Sequence, residues 1–378
     1  MGLNRELEGI TVVAVEQAVA APYCGLLLAD AGARVIKVER EEGDLARGYD
    51  KGADGQSTFF AWLNRGKESI CINLKNAEDQ DLLRRILDKA DVFLSNLSPG
   101  AIERAGFSGD VLRAINPGLI TCQINGYGKE GEAAHKKAYD FLIQAESGVV
   151  ATTGTGTELA RVGVSLVDIS SGLTAFSAIL RALIQRGRTG EGIDLSISMF
   201  DVMGDWMNMP LMGHRYMGGA PKPIGLTHSL IAPYGAYSAG DGRQILIAIQ
   251  SNREWVSFCE KVLEEPWMAT DPRFADNTVR TANRVQMDEV INKSFSRYPR
   301  QELVQLLDDN KIACAQLNSV EELSDHPLLK NLDVTFDGSV VSVADLPIPS
   351  DGGRLTVVPT LDQHGPALRQ EFAKDRNQ

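Results

Sequence analysis

The sequence predicts an α/β protein: a large domain built on a parallel sheet, followed by a smaller α+β domain. Three observations carry this. Short apolar runs of strand length alternate with helix-length segments through about the first 200 residues, the pattern of strands joined by crossover helices. The Gly- and Pro-rich stretch GGAPKPIG then breaks the alternation. Beyond it a hairpin signal and a series of charged helices take over. The expected boundaries are residues 1–215 for the large domain, 225–325 for the small one, and 330–378 for a C-terminal segment of Val- and Pro-rich strands that returns to the large domain.

Taken in order, ITVVAVE (residues 10–16) is apolar and rich in β-branched residues, which suits a buried strand. PYCGLLLADAGA reads as a helix closing on Gly32, since glycine accepts the left-handed backbone that ends helices. RVIKVER and SICINL are the next strands. Residues 77–90 form a helix with its charges on one face, DVFLSN is a strand, a short helix lies near residues 110–115, and LITCQING is a further strand. EQAVAAPYCG follows the first strand where a dinucleotide site would place G-x-G-x-x-G, so a nicotinamide cofactor is not expected. SSGLTAFSAILRALIQR (170–186) is a long apolar helix stopped by RGRTGEG, and IDLSISMFDVMGDW continues as strand then helix. In the small domain, IAPYGAYSAGDGRQILIAIQ puts a hairpin turn at Asp241-Gly242.

A hydrophobic content of 43% over 378 residues supports a substantial core. The formal net charge of -12 argues against nucleic-acid and membrane surfaces, both polyanionic, so an anionic ligand would need a local basic pocket. Cys24, Cys71, Cys122, Cys259 and Cys314 are scattered without a CxxC pair, which fits reduced and mostly buried thiols and no metal site. MGLNRELEG lacks a cationic segment followed by an apolar one, and no apolar run is long enough to span a bilayer; the expected compartment is the cytoplasm.

In RVGVSLVDISSG, Asp168 ends an apolar stretch just before a helix. One reading makes it the helix cap. The other makes it a nucleophile, its ionised form favoured by the helix N-terminus. Gly148, Gly154, Gly156 and Gly163 nearby offer backbone N–H groups for an oxyanion, or are turn residues. Arg40, Lys75, Arg104 and Lys137 recur near expected strand ends, where parallel sheets bind ligands, and can meet phosphates. Arg47, His214, Arg215 and His228 can each bind a carboxylate; the two histidines read equally as hydrogen-bonded linker residues.

The stretches GARVIKVER, LNRGKESICINLK, NLSPGAIERAGF, YDFLIQAESGV, VGVSLVDISSGLTAFSAILRALIQRGRTGEG and IAPYGAYSAGDG occur in the order and at intervals similar to those of the class III CoA-transferases. Over residues 7–368 the chain resembles this family, which includes formyl-CoA transferase and carnitine CoA-transferase. The resemblance implies a Rossmann-like large domain, a small domain closing the site, and two subunits interlocked in a homodimer. It implies acyl-CoA and a carboxylic acid as substrates, with no permanently bound cofactor and no metal. Asp168 takes the nucleophile's place, carrying the acyl group and then the CoA. Arg40, Ile72, Lys75, Arg104 and Lys137 match CoA-binding positions, and Ala18, Val19 and Arg47 line the CoA or acyl site.

Two departures narrow what the resemblance implies. The glycine-rich loop of formyl-CoA transferase has no counterpart near Gly225. Alpha-methylacyl-CoA racemase shares the fold, but commonly uses a His-Asp pair in the segment matching AYDFLIQA; here Tyr139 precedes Asp140, and a phenol is a poor base at neutral pH, which favours transfer. A lyase or a non-catalytic CoA-ester-binding protein is a weaker alternative. The expected acceptor is a short dicarboxylic acid of the succinate, itaconate, mesaconate or citramalate type, met by Arg47, Tyr139, Asp140, Arg215 and His228. Carnitine, oxalate, phenylpropanoid and bile acids stay open.

Overall fold

The computed structural model describes Leu3 and residues 5–374. They form two compact units. The first combines the described residues up to Val150 with Arg161–Met212 and the described residues from Lys330 on; the second combines Ala151–Ala160 with Gly213–Leu329.

The first unit alternates strand and helix as its apolar pattern requires. Its elements are β1 (Thr11–Val15), α1 (Ala20–Asp30), β2 (Arg34–Glu39), α2 (Thr58–Asn64), β3 (Lys67–Cys71), α3 (Ala77–Asp88), β4 (Val92–Ser95), α4 (Ala101–Arg104), α5 (Gly109–Ile115), β5 (Ile120–Asn125), α6 (Asp140–Glu146), α7 (Leu166–Thr189), β6 (Asp194–Ser198) and α8 (Met199–Trp206). The six strands pair in the order β3-β2-β1-β4-β5-β6, all parallel. Because side chains alternate across a strand, Val12 and Ala14 pack into one core with Leu28, Leu94 and Ile179, while Val13 and Val15 pack into another with Ile36, Leu83 and Phe93. Strand order reverses between β1 and β4, the crevice where open α/β sheets bind ligands.

Helix α7 illustrates how the core constrains sequence. By length and composition it could cross a membrane, yet Val167, Ala175, Ile179 and Ala182 are buried in the core. It crosses α1 so closely that a Cβ on Gly172 would lie 2.5 Å from the Ala20 carbonyl oxygen. The helix runs beyond the expected Arg186 because Gly187 and Arg188 continue it, and Gly190, at φ +75, ends it. β3 begins two residues before SICINL and stops at Cys71, where Asn73 opens a turn by accepting the Lys75 and Asn76 N–H groups.

The second unit contains β7 (Tyr234–Ser238) and β8 (Gln244–Ala248), joined antiparallel around Asp241-Gly242, and β9 (Ala313–Gln316) beside β8. Asp241 secures the turn by accepting the N–H groups of Arg243 and Arg300, both at 3.0 Å. Ile245, Ile247, Trp255, Phe258 and Phe295 form its core. No composition shift marks the crossing of residues 151–160 into this unit. The C-terminal strands β10 (Asn331–Phe336), β11 (Ser339–Ala344) and β12 (Val357–Val358) form a small sheet in the first unit, with Phe336 stacked on Phe60 of α2. All five cysteines are free.

Candidate active site

Asp168 sits in the first turn of α7, partly buried, and its carboxyl group takes no hydrogen bond among the described residues. The cap reading is therefore overturned: Ser165 occupies the cap position, and neither it nor Asp168 closes the helix end with its side chain. Asp140, the first residue of α6, does so instead. Its Oδ2 accepts the N–H groups of Val167 at 2.7 Å and of Asp168 at 3.1 Å. The expected stabilisation of ionised Asp168 by the helix terminus is overturned as well. Burial, and then the charge of Asp140, push the Asp168 carboxyl up to about 7.

A carboxyl group in this state is divided between its acid and its carboxylate near neutral pH, and its charged form is poorly solvated. That makes the carboxylate more reactive toward an electrophilic carbonyl than a hydrated one. Tyr139, exposed, precedes Asp140 at the α6 N-terminus, and the Tyr49 phenol, raised chiefly by burial, feels the charges of Asp44 and Asp168.

Beneath the β1–α1 turn lies a buried ionic network. Lys37 donates to Asp44 Oδ2 at 2.7 Å and to Glu16 Oε1 at 3.2 Å, and Lys67 donates to the same Glu16 oxygen at 2.6 Å. Asp44 Oδ1 accepts the N–H of Ala18 at 2.9 Å. Ala18 has φ +62, a left-handed conformation that costs an L-residue about 1–2 kcal/mol. Asn96 grips the adjacent residue by accepting the Gln17 N–H and donating to the Gln17 carbonyl, both at 2.9 Å. The network thus holds the turn at the carboxyl end of β1 in a conformation that its own residues would not choose. Burial, only partly offset by Glu16, brings Lys67 down to about 8.

At the carboxyl ends of β1 to β4 opens a cavity of about 540 Å³, lined by Arg40, Gly43, Ile72, Leu74, Lys75 and Leu97 among others. Ala101 of α4 also lines it, and Arg104 closes the same helix. Its lining also carries the acidic Glu16, Glu39, Glu41, Glu42 and Asp44, so the positive charge it offers an anion is local, at Arg40 and Lys75 beside the apolar Ile72, Leu74 and Leu97.

The comparison with known proteins decides the assignment. The model of CoA-transferase family III matches residues 7–364. This chain belongs to that family. It is 34% identical to the acetyl-CoA:oxalate CoA-transferase of Acetobacter aceti, over 97% of this chain and 95% of that one. It is 33% identical to the succinate–glutarate CoA-transferase of Agrobacterium fabrum, over 90% and 88%. Among solved structures, a CaiB/BaiF family protein from Brucella suis superposes with a TM-score of 0.85 at 32% identity, covering 98% of this chain and 100% of that one.

In this CoA-transferase the expected residues divide into groups. Arg40, Ile72 and Lys75 share the cavity, and Ala18 and Val19 form the β1–α1 turn beside the Glu16 and Gln17 that line it. Lys137 does not end a strand; it is exposed in the loop between β5 and α6. Arg47 does not offer a free guanidinium: it is paired with both Glu39 oxygens at 2.8 Å, donates to the Pro359 carbonyl and stacks 3.7 Å over Phe60. Burial would raise Glu39, but Arg47 and Lys37 outweigh it and hold it down to about 2. His214 and Arg215 are exposed, and His228 and Arg215 belong to the second unit. His228 stacks on Tyr234 and accepts the Leu230 N–H on Nδ1, as a hydrogen-bonded loop residue does. The N–H of Gly156 is committed to Pro223 and that of Gly148 to Ala145, so these two are turn residues rather than oxyanion donors. Gly225, at φ +68, donates to the Gly154 carbonyl. The residues missed from sequence are Glu16, Lys37, Asp44, Lys67 and Gln144. Charged Lys37 within the apolar run RVIKVE was the available signal.

Proposed function

We propose that this enzyme moves CoA from an acyl-CoA donor to a short dicarboxylic acid, with Asp168 as the covalent carrier. The observation that carries the reading is the unbonded, half-buried Asp168 carboxyl beside Asp140, raised to about 7. Asp168 attacks the thioester carbonyl; the C–S bond breaks, giving a mixed anhydride and CoA thiolate. The thiolate attacks the aspartyl carbonyl, releasing the donor acid and leaving an aspartyl-CoA thioester. The acceptor carboxylate attacks that thioester, releasing the thiolate, which then takes the acceptor acyl group from the second anhydride and regenerates Asp168. The thioester bond is conserved throughout, so no nucleotide hydrolysis enters.

In the same reading CoA occupies the cavity at Arg40, Ile72 and Lys75, near Arg104, with the Ala18–Val19 turn directing its thiol end and Lys137 reaching it from its loop. A dicarboxylic acceptor is supported by the relatives named for oxalate and for succinate and glutarate. An interlocked homodimer is supported by the exposed apolar side chains Phe141, Leu142, Leu173, Ile184 and Trp206 of the first unit, which a second copy would cover. Five free thiols fit a reducing, cytoplasmic setting.

Mass spectrometry of the enzyme incubated with succinyl-CoA alone tests the mechanism. A CoA-sized adduct on the peptide carrying Asp168, absent from Asp168→Ala, is expected. No adduct, together with exchange of the α proton of a branched acyl-CoA in deuterated water, would establish racemisation instead.

A further inference from the structure

Gln144 lies on α6 one turn after Asp140 and is fully buried, at 0% exposure. A buried amide must satisfy both a donor and an acceptor, and this one uses both. Its Nε2 donates to Asp140 Oδ1 at 2.6 Å, with a longer contact of 3.4 Å to the Val162 carbonyl. Its Oε1 accepts the Val162 N–H at 2.9 Å. One side chain therefore ties the start of α6, the loop at Val162 and, through Asp140, the first turn of α7 that carries Asp168.

Asp140 Oδ1 has no other hydrogen-bond donor among the described residues, while Oδ2 is held by Val167 and Asp168. Without Gln144, Oδ1 loses its donor and the Asp140 carboxylate is held only at Oδ2, by the Val167 and Asp168 N–H groups. Ser165 supplies no side-chain cap to take its place. We propose that Gln144 is a positioning residue: by clamping Asp140 it orients the first turn of α7 and the negative charge beside Asp168.

The inference rests on Asp168 being the carrier. Besides Asp140, the ionisable groups on the elements packed about Asp168 are Tyr139 before α6, Tyr49, and Tyr23 and Cys24 on α1, with Asp30 at the far end of α1 paired to Arg65. α8 adds the exposed Asp201 and Asp205; β5 and β6 add Cys122 and Asp194, the latter paired to Lys129; Glu146, later on α6, is bonded to Tyr127. Asp140 is the charge that Gln144 touches.

The test uses the full-length enzyme, with succinyl-CoA as donor and glutarate or oxalate as acceptor, and the variants Gln144→Met and Gln144→Glu. Methionine keeps the volume and removes both hydrogen bonds. The expected result is a fall in kcat of at least about tenfold, in the range of misplaced catalytic groups, with the KM for succinyl-CoA within about twofold of wild type. The acid limb of kcat/KM should move to lower pH, since a displaced Asp140 opposes ionisation of Asp168 less. Relative to wild type at the same pH, Gln144→Glu should lose less activity at low pH, where a protonated glutamic acid can donate to Asp140, than at high pH. If Gln144→Met keeps the wild-type kcat and acid limb, or loses affinity for succinyl-CoA in step with kcat, the positioning role is wrong. Should the methionine variant not fold, Gln144→Glu decides alone: an activity ratio to wild type that does not change with pH refutes the proposal. Absence of the Asp168 adduct in wild type refutes the carrier reading independently of either variant.

Discussion

Replacing Asp168 by Asn should abolish transfer and, at the same time, make the protein more stable. Between the ordinary Asp value of 3.8 and the value of about 7 in the fold lie about three pH units, each equivalent to 1.36 kcal/mol, or about 4 kcal/mol in all. Part of the carboxyl group stays open to solvent, which reduces the effect to about 2 kcal/mol. Because the folded value is raised, ionised Asp168 favours the unfolded chain. The cost is nil below about 3.8, grows as pH rises and is complete above about 7. Asn keeps the shape without the charge, so the stability of Asp168→Asn relative to wild type should grow from pH 5 to pH 8. Urea unfolding at pH 5, 6 and 8, at one protein concentration and with unchanged m-values, measures the gap. A gap that is the same at pH 5 and pH 8, or a variant less stable than wild type at pH 8, would refute the argument. The excess charge is then a stability cost maintained for reactivity.

Other substitutions probe the surroundings. Asp44→Asn leaves Lys37 with only its longer contacts to the Glu16 carboxylate and carbonyl and should cost about 3–5 kcal/mol by thermal melting; a loss under about 1 kcal/mol would show that the network relaxes freely. Glu39→Gln should lose about 3 kcal/mol at pH 7, since the folded value near 2 lies well below the ordinary 4.5. That stability is present above about 4.5 and disappears as pH falls through 2, so the two proteins should converge in acid. Lys75→Glu, at the rim of the 540 Å³ cavity, should raise the KM for succinyl-CoA about tenfold at low salt, and less at high salt; an unchanged KM would remove Lys75 from the CoA site. Gly172→Val should separate α1 from α7 and cost about 1–3 kcal/mol in urea unfolding.

The strands of the first unit were legible because a parallel sheet buried on both faces leaves a local record, apolar runs with turn residues between them. The ends were less so. β3 stops at Cys71 because Asn73 captures backbone N–H groups, and α7 passes through Gly187 because the helix is already anchored in the core. Arg40, Ile72 and Lys75 could be grouped in advance because each follows a strand of one sheet. Arg47 could not be judged that way, since its partners Glu39 and Pro359 lie 8 and 312 residues from it.

The sequence by itself determined the α/β class, the hairpin at Asp241-Gly242, the family and the prominence of Asp168, because periodicity and ordered motifs are local properties of the chain. What only the tertiary structure decided is the state of that aspartate. Its spacing pointed to a helix cap with a stabilised charge, whereas Asp140, 28 residues away, takes the helix N–H groups and leaves Asp168 unbonded beside a like charge. Burial and Coulomb interactions depend on distance in space, and a pattern of neighbours along the chain does not encode that distance.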